Sequence, residues 1–136
     1  MSSSGINENT VEEAALSWFG ELGYVTVHGQ EIAPDEPGAE RESYDDVVLV
    51  GRLRDAIHRL NDRIPDEARE EALRKVLRPE SPSLIVNNQT FHAMLRDGVE
   101  VEYNRPDGSI AGDRVQLVSE DPSENDWLVV NQFTVV

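Results

Sequence analysis

The stretch FHAMLRDGVEVEY, residues 91–103, decides the fold class because the spacing of its apolar residues changes at one glycine. Before Gly98, back to about Pro82, apolar residues recur with the helical period of about 3.6 residues, and the glycine ends this helix. After Gly98, VEVEY alternates with the two-residue period of a strand. The turn segment NRPDGS and a second alternating segment, RVQLV, follow, so the sequence predicts a loose β-hairpin.

The amino-terminal part predicts one helix followed directly by one strand. Thr10 and Glu13 have the spacing of a capping box, after which apolar residues recur on one helix face and stop at a glycine. YVTVH, residues 24–28, is β-branched and aromatic, which is typical of a strand. The Ser- and Asn-rich start predicts a flexible tail over residues 1–9, followed by a single domain over residues 10–136.

A long loop and two helices lie between that strand and the helix that enters the hairpin. Residues 29–46, GQEIAPDEPGAERESYDD, contain seven acids and show no period, so we expect an acidic, solvated surface loop. Apolar residues from Val47 to Ile64 predict a second helix. Pro65 opens a third helix, which the segment RPESPS ends.

The last segment, NDWLVVNQFTVV, predicts a strand over Leu128–Val136 with no turn or polar tail after it. The order of one helix, one strand, three helices and three strands predicts an α+β fold with helices packed on a mixed β-sheet. An exposed strand edge pairs readily with a second copy of the same strand. We therefore expect a tendency to dimerise through Leu128–Val136.

The composition limits the class of protein. A length of 136 residues, 38% of them hydrophobic, suits one domain with one core. The sequence has no apolar run of about 18 residues and no signal-peptide pattern, so we expect a cytoplasmic protein without a membrane span. The absence of cysteine excludes thiolate catalysis and sulfur-bound zinc. The net charge of −15 argues against DNA contact over the whole surface, although nine of the twelve Lys and Arg lie in residues 41–78.

The sequence contains no complete set of catalytic motifs. It lacks the G-x-S-x-G elbow, the H-E-x-x-H zinc motif, the Walker A loop and the dinucleotide glycine motif. The metal-dependent nuclease pattern Asp/Glu-x-Lys is also absent, because Leu73 stands two positions before Lys75, the only lysine. The three histidines fall in different predicted elements, and we expect each to be structural.

Four residues are candidates for binding. Glu12 would occupy the second position of the first helix, where the helix dipole stabilises a carboxylate by about 0.3–1 kcal/mol; alternatively, it would bind a metal ion together with groups from elsewhere. Arg52, Arg59 and Arg63 fall within about 40° of one another on a helical wheel, and this stripe would be able to follow a phosphate backbone. Salt bridges to neighbouring aspartates are the structural alternative for the stripe.

Three stretches together resemble the R subunit (HsdR) of type I restriction enzymes, over nearly the whole chain from residue 10. VEEAALSWFGELGYVTVHG is similar to its opening helix and strand, and VVLVGRLRDAIHRLNDRIPDEAREEALRKVL is similar to its next helices. The part from NNQTFHAMLRDGVEVEY to NDWLVVNQFTV resembles the approach to its nuclease motifs. The combination of these stretches is more specific than any short motif.

The resemblance implies the front part of a restriction-endonuclease-like nuclease domain. In the family, the catalytic Asp and Glu-x-Lys strands follow the segment similar to NQFTV, so we expect a fragment truncated before them and inactive. The full-length protein would cleave duplex DNA with Mg²⁺ and ATP, beside methyltransferase and specificity subunits, while no cofactor is expected on this fragment. Glu12 falls where this nuclease class often has a helix glutamate near the metal. The non-enzyme alternative, favoured by the charge, is an acidic interaction module or DNA mimic.

Overall fold

The computed structural model describes residues 7–136, and these residues form two compact units. The described part of the first unit is residues 7–49 and 126–136, and the second unit is Val50–Asn125. In chain order the helices and strands are α1 (Glu8–Glu21), β1 (Val25–His28), α2 (Val50–Leu60), α3 (Asp66–Leu77), α4 (Leu84–Asp97), β2 (Val99–Asn104), β3 (Ile110–Val115) and β4 (Leu128–Asn131).

The predicted α+β class is confirmed. The strands pair in two separate two-stranded sheets, with β1 parallel to β4 in the first unit and β2 antiparallel to β3 in the second. Both kinds of pairing in the predicted mixed sheet are therefore present. Within residues 7–136, however, no single sheet joins them. None of the helices in this range is long and apolar enough to cross a membrane.

Helix α1 begins earlier than the capping-box pattern predicted. The side chain of Asn7 accepts a hydrogen bond from the backbone N–H of Thr10 at 2.9 Å, which makes Asn7 the N-cap. The prediction of a cap at Thr10 is thus wrong, because an Asn three residues earlier offers the same acceptor. Residues 8 and 9 of the predicted tail are helical, and residues 1–6 lie outside the described range. Glu12 consequently lies beyond the first turn, where the helix dipole contributes little.

The β1–β4 pair places its polar residues on one face. The register aligns Thr26 with Val129 and His28 with Asn131. Partners in a parallel pair point to the same side of the sheet, and α1 contacts both strands. His28 and Asn131 therefore share one face of the sheet.

Strand β4 ends at Asn131, five residues before the predicted end at Val136. Gln132 takes a positive φ of 51°, a conformation that turns the chain out of the strand. Gly29 allows the chain to pass close by, because a Cβ on this residue would lie 2.4 Å from the backbone oxygen of Gln132. The apolar pattern of this segment did not predict the turn.

The predicted acidic loop, residues 29–46, is not a solvated linker. It begins with a 3-10 helix, Gly29–Ile32, and Arg41 within it is only 5% exposed. The guanidinium of Arg41 lies 3.9 Å from the centre of the Phe133 ring and donates to the backbone oxygen of Asp46 at 3.2 Å. One arginine among the acids thus gives the loop a buried anchor, which composition alone does not reveal.

The second unit has an apolar core between α2, α3 and the hairpin. Its members are the buried residues Ile57, Ile64, Ala68, Ala72, Leu73, Val99, Val101, Val115 and Leu117. Along β2, buried Val99 and Val101 alternate with exposed Glu100 and Glu102, which confirms the predicted strand period. Strand β3 runs over Ile110–Val115 rather than over the predicted RVQLV, because the turn closes with the N–H of Arg105 on the oxygen of Ser109.

Helix α4 follows the prediction closely but buries none of its residues. Ser83 caps its start, and Gly98 ends it with a φ of 85°. Its exposed apolar side chains are Leu84, Ile85, Val86, Phe91 and Leu95. The helical period is correct here, but only partial burial accompanies it, as at Met94, which packs partly buried against the apolar core.

Candidate functional site

The first unit holds Glu12 in a network of amide side chains. The Nε2 of Gln132 donates to both carboxylate oxygens of Glu12, at 2.8 and 2.9 Å. The Nδ2 of Asn131 donates to the Glu12 Oε2 at 3.3 Å. These bonds fix the carboxylate, and its remaining lone pairs are able to accept further ligands.

His28 joins the same network from the neighbouring strand. Its Nδ1 lies 3.1 Å from the Oδ1 of Asn131, the residue opposite it in the β1–β4 register. We refer to Glu12, His28, Asn131 and Gln132 as the Glu12 network. It brings together residues 119 and 120 positions apart in the chain.

A surface cavity of about 680 Å³ lies beside the Glu12 network. Its lining includes all four members of the network together with Glu13, Arg41 and Tyr44. Carboxylates, a guanidinium, an imidazole and amides therefore meet in one concave region. Among the described residues, the one cluster of three or more His, Asp or Glu side chains close enough to share a metal ion lies elsewhere and does not include Glu12.

The predicted arginine stripe is divided by the end of α2. Arg52 and Arg59 are in the helix, but α2 ends at Leu60 and Arg63 follows it. The Nη2 of Arg59 donates to the backbone oxygen of Glu124 at 3.1 Å, so part of its donor capacity holds the loop before β4. Arg52 is half-buried and also has an interaction partner. DNA contact by the three arginines stays a prediction.

A cluster of ion pairs between α2 and α3 was not found by sequence analysis. Glu70 accepts a hydrogen bond from the Nε of Arg54 at 3.1 Å. The Nε2 of His58 lies 3.4 Å from a carboxylate oxygen of Glu70 and from one of Asp66. Hydrogen bonding from Arg54 and His58 holds the pKa of Glu70 below its usual value, against the opposing effect of desolvation. Arg69 also pairs with Asp66 at 3.6 Å. Because cations already balance both carboxylates, the cluster is explained as a link between the two helices.

Comparison with known proteins identifies the family. A family model described as the type I restriction enzyme R protein N terminus matches residues 5–136. The chain belongs to this family. The resemblance carried by its sequence stretches is thereby confirmed.

Two relatives of this R protein family extend the comparison. The "Type I restriction enzyme HindI endonuclease subunit" of Haemophilus influenzae is 33% identical over 131 residues, 96% of this chain and 12% of that protein. The "Putative type I restriction enzyme MjaIXP endonuclease subunit" of Methanocaldococcus jannaschii is 33% identical over 132 residues, again 96% of this chain and 12% of that protein. The chain thus spans about one-eighth of the length of these relatives. No solved structure matches it.

The structure adds three residues to the one that sequence analysis placed at this site of the R protein N terminus. Asn131 and Gln132 hold Glu12, and His28 is linked to it through Asn131. His28 had been expected to be structural. The available signal was the pair of amides in VVNQF, where the apolar run of the last strand is interrupted by two hydrogen-bonding side chains.

Proposed function

We propose that the chain is the N-terminal part of the R subunit of a type I restriction enzyme, whose full-length form cleaves duplex DNA. The observation that carries this proposal is the family match over residues 5–136. The names of both relatives, each an endonuclease subunit of a type I restriction enzyme, support it. In this proposal the full-length protein is cytoplasmic, uses Mg²⁺ and ATP, and works beside methyltransferase and specificity subunits.

Glu12 is the residue of this chain that we assign to the nuclease site. A carboxylate oxygen is a ligand that Mg²⁺ accepts, and the amides of Asn131 and Gln132 fix the orientation of Glu12 without adding charge. The Glu12 network is compatible with Mg²⁺ but contains only one carboxylate, so in this proposal the further ligands come from outside the network. When bound, the ion would polarise a phosphodiester group. This chain's own contribution is to hold the carboxylate of Glu12 at the cavity.

The test compares this chain with the full-length protein from the same gene in a cleavage assay with Mg²⁺ and linear duplex DNA. We expect cleavage, in the presence of ATP and the partner subunits, by the full-length protein only. Glu12→Gln in the full-length protein should abolish cleavage, while Glu21→Gln, at the other end of α1, should not. Cleavage by the 136-residue chain alone would contradict the proposed inactivity of the fragment.

The alternative, an acidic interaction module, has one observation in its favour. Residues 1–49 and 126–136, which form the first unit, contain twelve Asp and Glu but only one Lys or Arg, namely Arg41. Such a charge density repels DNA and attracts basic proteins. Titration of the chain with duplex DNA and, separately, with a basic DNA-binding protein distinguishes the two functions, because the module should bind only the protein.

Dimerisation through the last strand stays a prediction. One edge of β4 is paired with β1, and in the two-stranded sheet of the described residues the other edge is open to a second copy. Light scattering at increasing concentration should show a dimer that Val130→Pro weakens, because proline removes a backbone donor from the strand. A protein that stays monomeric at a concentration of about 1 mM would contradict this prediction, because association with a dissociation constant above that value is too weak to be useful.

A further inference from the structure

The side-chain amide of Asn131 lies between Glu12 and His28, and its orientation follows from hydrogen-bond chemistry. The carboxylate of Glu12 only accepts, so the group of Asn131 that faces it at 3.3 Å must be the donor, Nδ2. The amide oxygen Oδ1 is then directed to the other side, where it lies 3.1 Å from the Nδ1 of His28. Glu12 thus dictates which end of the amide meets the histidine.

The same logic fixes the proton on His28. An amide oxygen only accepts, so Nδ1 must carry the hydrogen of this bond, and in the neutral imidazole the lone pair then lies on Nε2. His28 is exposed and lines the cavity beside the Glu12 network. Among residues 7–136, no group forms a hydrogen bond to its Nε2. This nitrogen therefore has no hydrogen-bond partner among these residues, and it belongs to an exposed side chain.

We propose that His28 is a positioned proton acceptor of this cavity and that Asn131 is its positioning residue. The proposal deepens the nuclease function assigned above and rests on it. An asparagine that accepts from one ring nitrogen, and so leaves the other as a base, also orients histidine in Cys-His-Asn hydrolases. Here the amide is itself held by a carboxylate. The Nε2 lone pair accepts a hydrogen bond from water, the molecule that hydrolysis of a phosphodiester requires.

The surroundings of His28 agree with this role. The charged and titratable groups on the cavity wall are Glu12 and Glu13 from α1 and Arg41 and Tyr44 from the segment after β1. Arg41 is buried, with its Nη1 donating to two backbone oxygens and its guanidinium over Phe133. Ionised Glu12 and Glu13 also accept hydrogen bonds, and the amides of Asn131 and Gln132 already bind the carboxylate of Glu12, whereas Arg41 only donates. Among the side chains of this wall, His28 is the one whose neutral form offers a nitrogen lone pair.

The first test reads the tautomer directly in the 136-residue chain. Long-range ¹H–¹⁵N NMR spectra of the neutral ring should show His28 protonated at Nδ1 and unprotonated at Nε2. Asn131→Ala should remove this preference, whereas Thr26→Ser, on the same strand and face, should leave it unchanged. A purely structural histidine would not lose its tautomer selectively. An Nε2–H tautomer in the unsubstituted chain would overturn the proposal.

The second test measures cleavage by the full-length R subunit with its partners. His28→Gln should lower the cleavage rate by about 100-fold, the lower end of the usual effect of a proton-transfer group, at unchanged DNA affinity. Asn131→Ala should lower it by about tenfold, and Thr26→Ser should leave it unaltered. An unaltered rate in His28→Gln would overturn the proposal even if the tautomer is as expected. Absence of cleavage by the unsubstituted subunit would instead refute the nuclease function, and with it the part of this proposal that rests on it.

Discussion

The two units of this chain are stabilised by different kinds of interaction. The second unit has a cluster of nine buried apolar residues, which lie within one continuous stretch of the chain. In the first unit the buried hydrophobic residues are Leu16, Ile32 and Ala33. Polar contacts between distant segments, such as Glu12 with Gln132, accompany this small core. The apolar core therefore lies in one unit and the candidate site in the other.

This difference indicates that, within the described chain, the second unit mainly provides apolar burial and the first unit mainly provides the geometry of the candidate site. The stabilisation from apolar burial depends on the area that is buried, and many sequences provide it. Hydrogen bonds such as those of the Glu12 network require particular groups at particular distances. A unit that keeps a carboxylate, an imidazole and an arginine at one cavity has less surface left for apolar burial. The comparison predicts that substitutions of similar size will act through lost packing in the second unit and through lost geometry in the first.

The largest expected effect is on the apolar core of the second unit. Ile57 is 0% exposed, so Ile57→Ala should lower the free energy of unfolding by about 3–4 kcal/mol through lost burial and a residual cavity. Urea denaturation followed by far-ultraviolet circular dichroism measures this loss. The control Ile110→Ala, at a position 67% exposed in β3, should cost less than about 1 kcal/mol. Equal losses would show that the apolar cluster is not what stabilises this unit.

The second prediction concerns the single buried amide of that core. Asn61 donates to the oxygens of Ile57 and Gln116 at 2.8 Å and accepts from the N–H of Gln116 at 2.7 Å. Asn61→Ala leaves backbone groups of Gln116 without these partners, and we expect a loss of about 2–3 kcal/mol. Asn88→Ala, on the exposed surface of α4, should be neutral or slightly stabilising in the same denaturation experiment. A loss below about 1 kcal/mol for Asn61→Ala would mean that water replaces the amide.

The second unit was predictable from sequence to the extent that local periods determine it. The change of period at Gly98 predicted α4 and the strand after it, and Pro65 predicted the start of α3. In both units, the ends of helices and strands differ from the predicted ends where a local hydrogen bond competes with the apolar period. Asn7 caps α1 earlier than Thr10 would have done, and β3 begins next to a turn that local chemistry closes.

The candidate site was less predictable because its members are far apart in sequence. Glu12 was a candidate from its place in the first helix and from the resemblance, but no spacing rule connects it with residues 119 or 120 positions later. The parallel pairing of β1 with β4 creates this proximity, and the order of strands cannot be derived from their individual patterns. His28 gave no local signal of function, since its partner Asn131 lies on the other strand.

The third prediction tests backbone geometry at Gly29 of the first unit, with a glycine of the second unit as control. Gly29→Ala places a Cβ 2.4 Å from the backbone oxygen of Gln132, so backbone must move, and we expect a loss of about 1–3 kcal/mol. The matched control is Gly51→Ala in α2, where nothing lies within 4 Å and alanine is the better helix former. It should stabilise by about 0.5–1 kcal/mol. The two substitutions add the same methyl group but should have opposite signs.

The measurement for Gly29→Ala uses the position of the tryptophans, while far-ultraviolet circular dichroism during urea denaturation follows Gly51→Ala in the second unit. Trp18 and Trp127 both lie in the first unit, so tryptophan fluorescence during urea denaturation reports on that unit. Gly29→Ala should move this transition to lower urea and should also shift the NMR signal of the Gln132 side chain. A fluorescence transition that Gly29→Ala leaves in place would show that the approach of Gly29 to Gln132 does not hold the Glu12 network together.

The smallest expected effect is that of removing the ion pair between α2 and α3. The direction in which this effect changes with pH follows from the pKa of Glu70. Arg54 holds the pKa of Glu70 below the ordinary value of 4.5, so the pair stabilises the fold above that pH. This contribution is lost as the pH falls through the lowered pKa of the folded state, where Glu70 takes up a proton. Because the pair is partly exposed, Glu70→Gln should cost only about 0.2–1 kcal/mol at pH 7. The same substitution should cost less at pH 3, which lies below the ordinary value of 4.5, because protonation of Glu70 in the unfolded chain removes part of this contribution. Urea denaturation at both pH values, with exposed Glu102→Gln as control, measures the difference. A cost that is equal at the two pH values would assign the role of Glu70 to packing rather than to charge, and the second unit would then depend on apolar contacts and neutral hydrogen bonds alone.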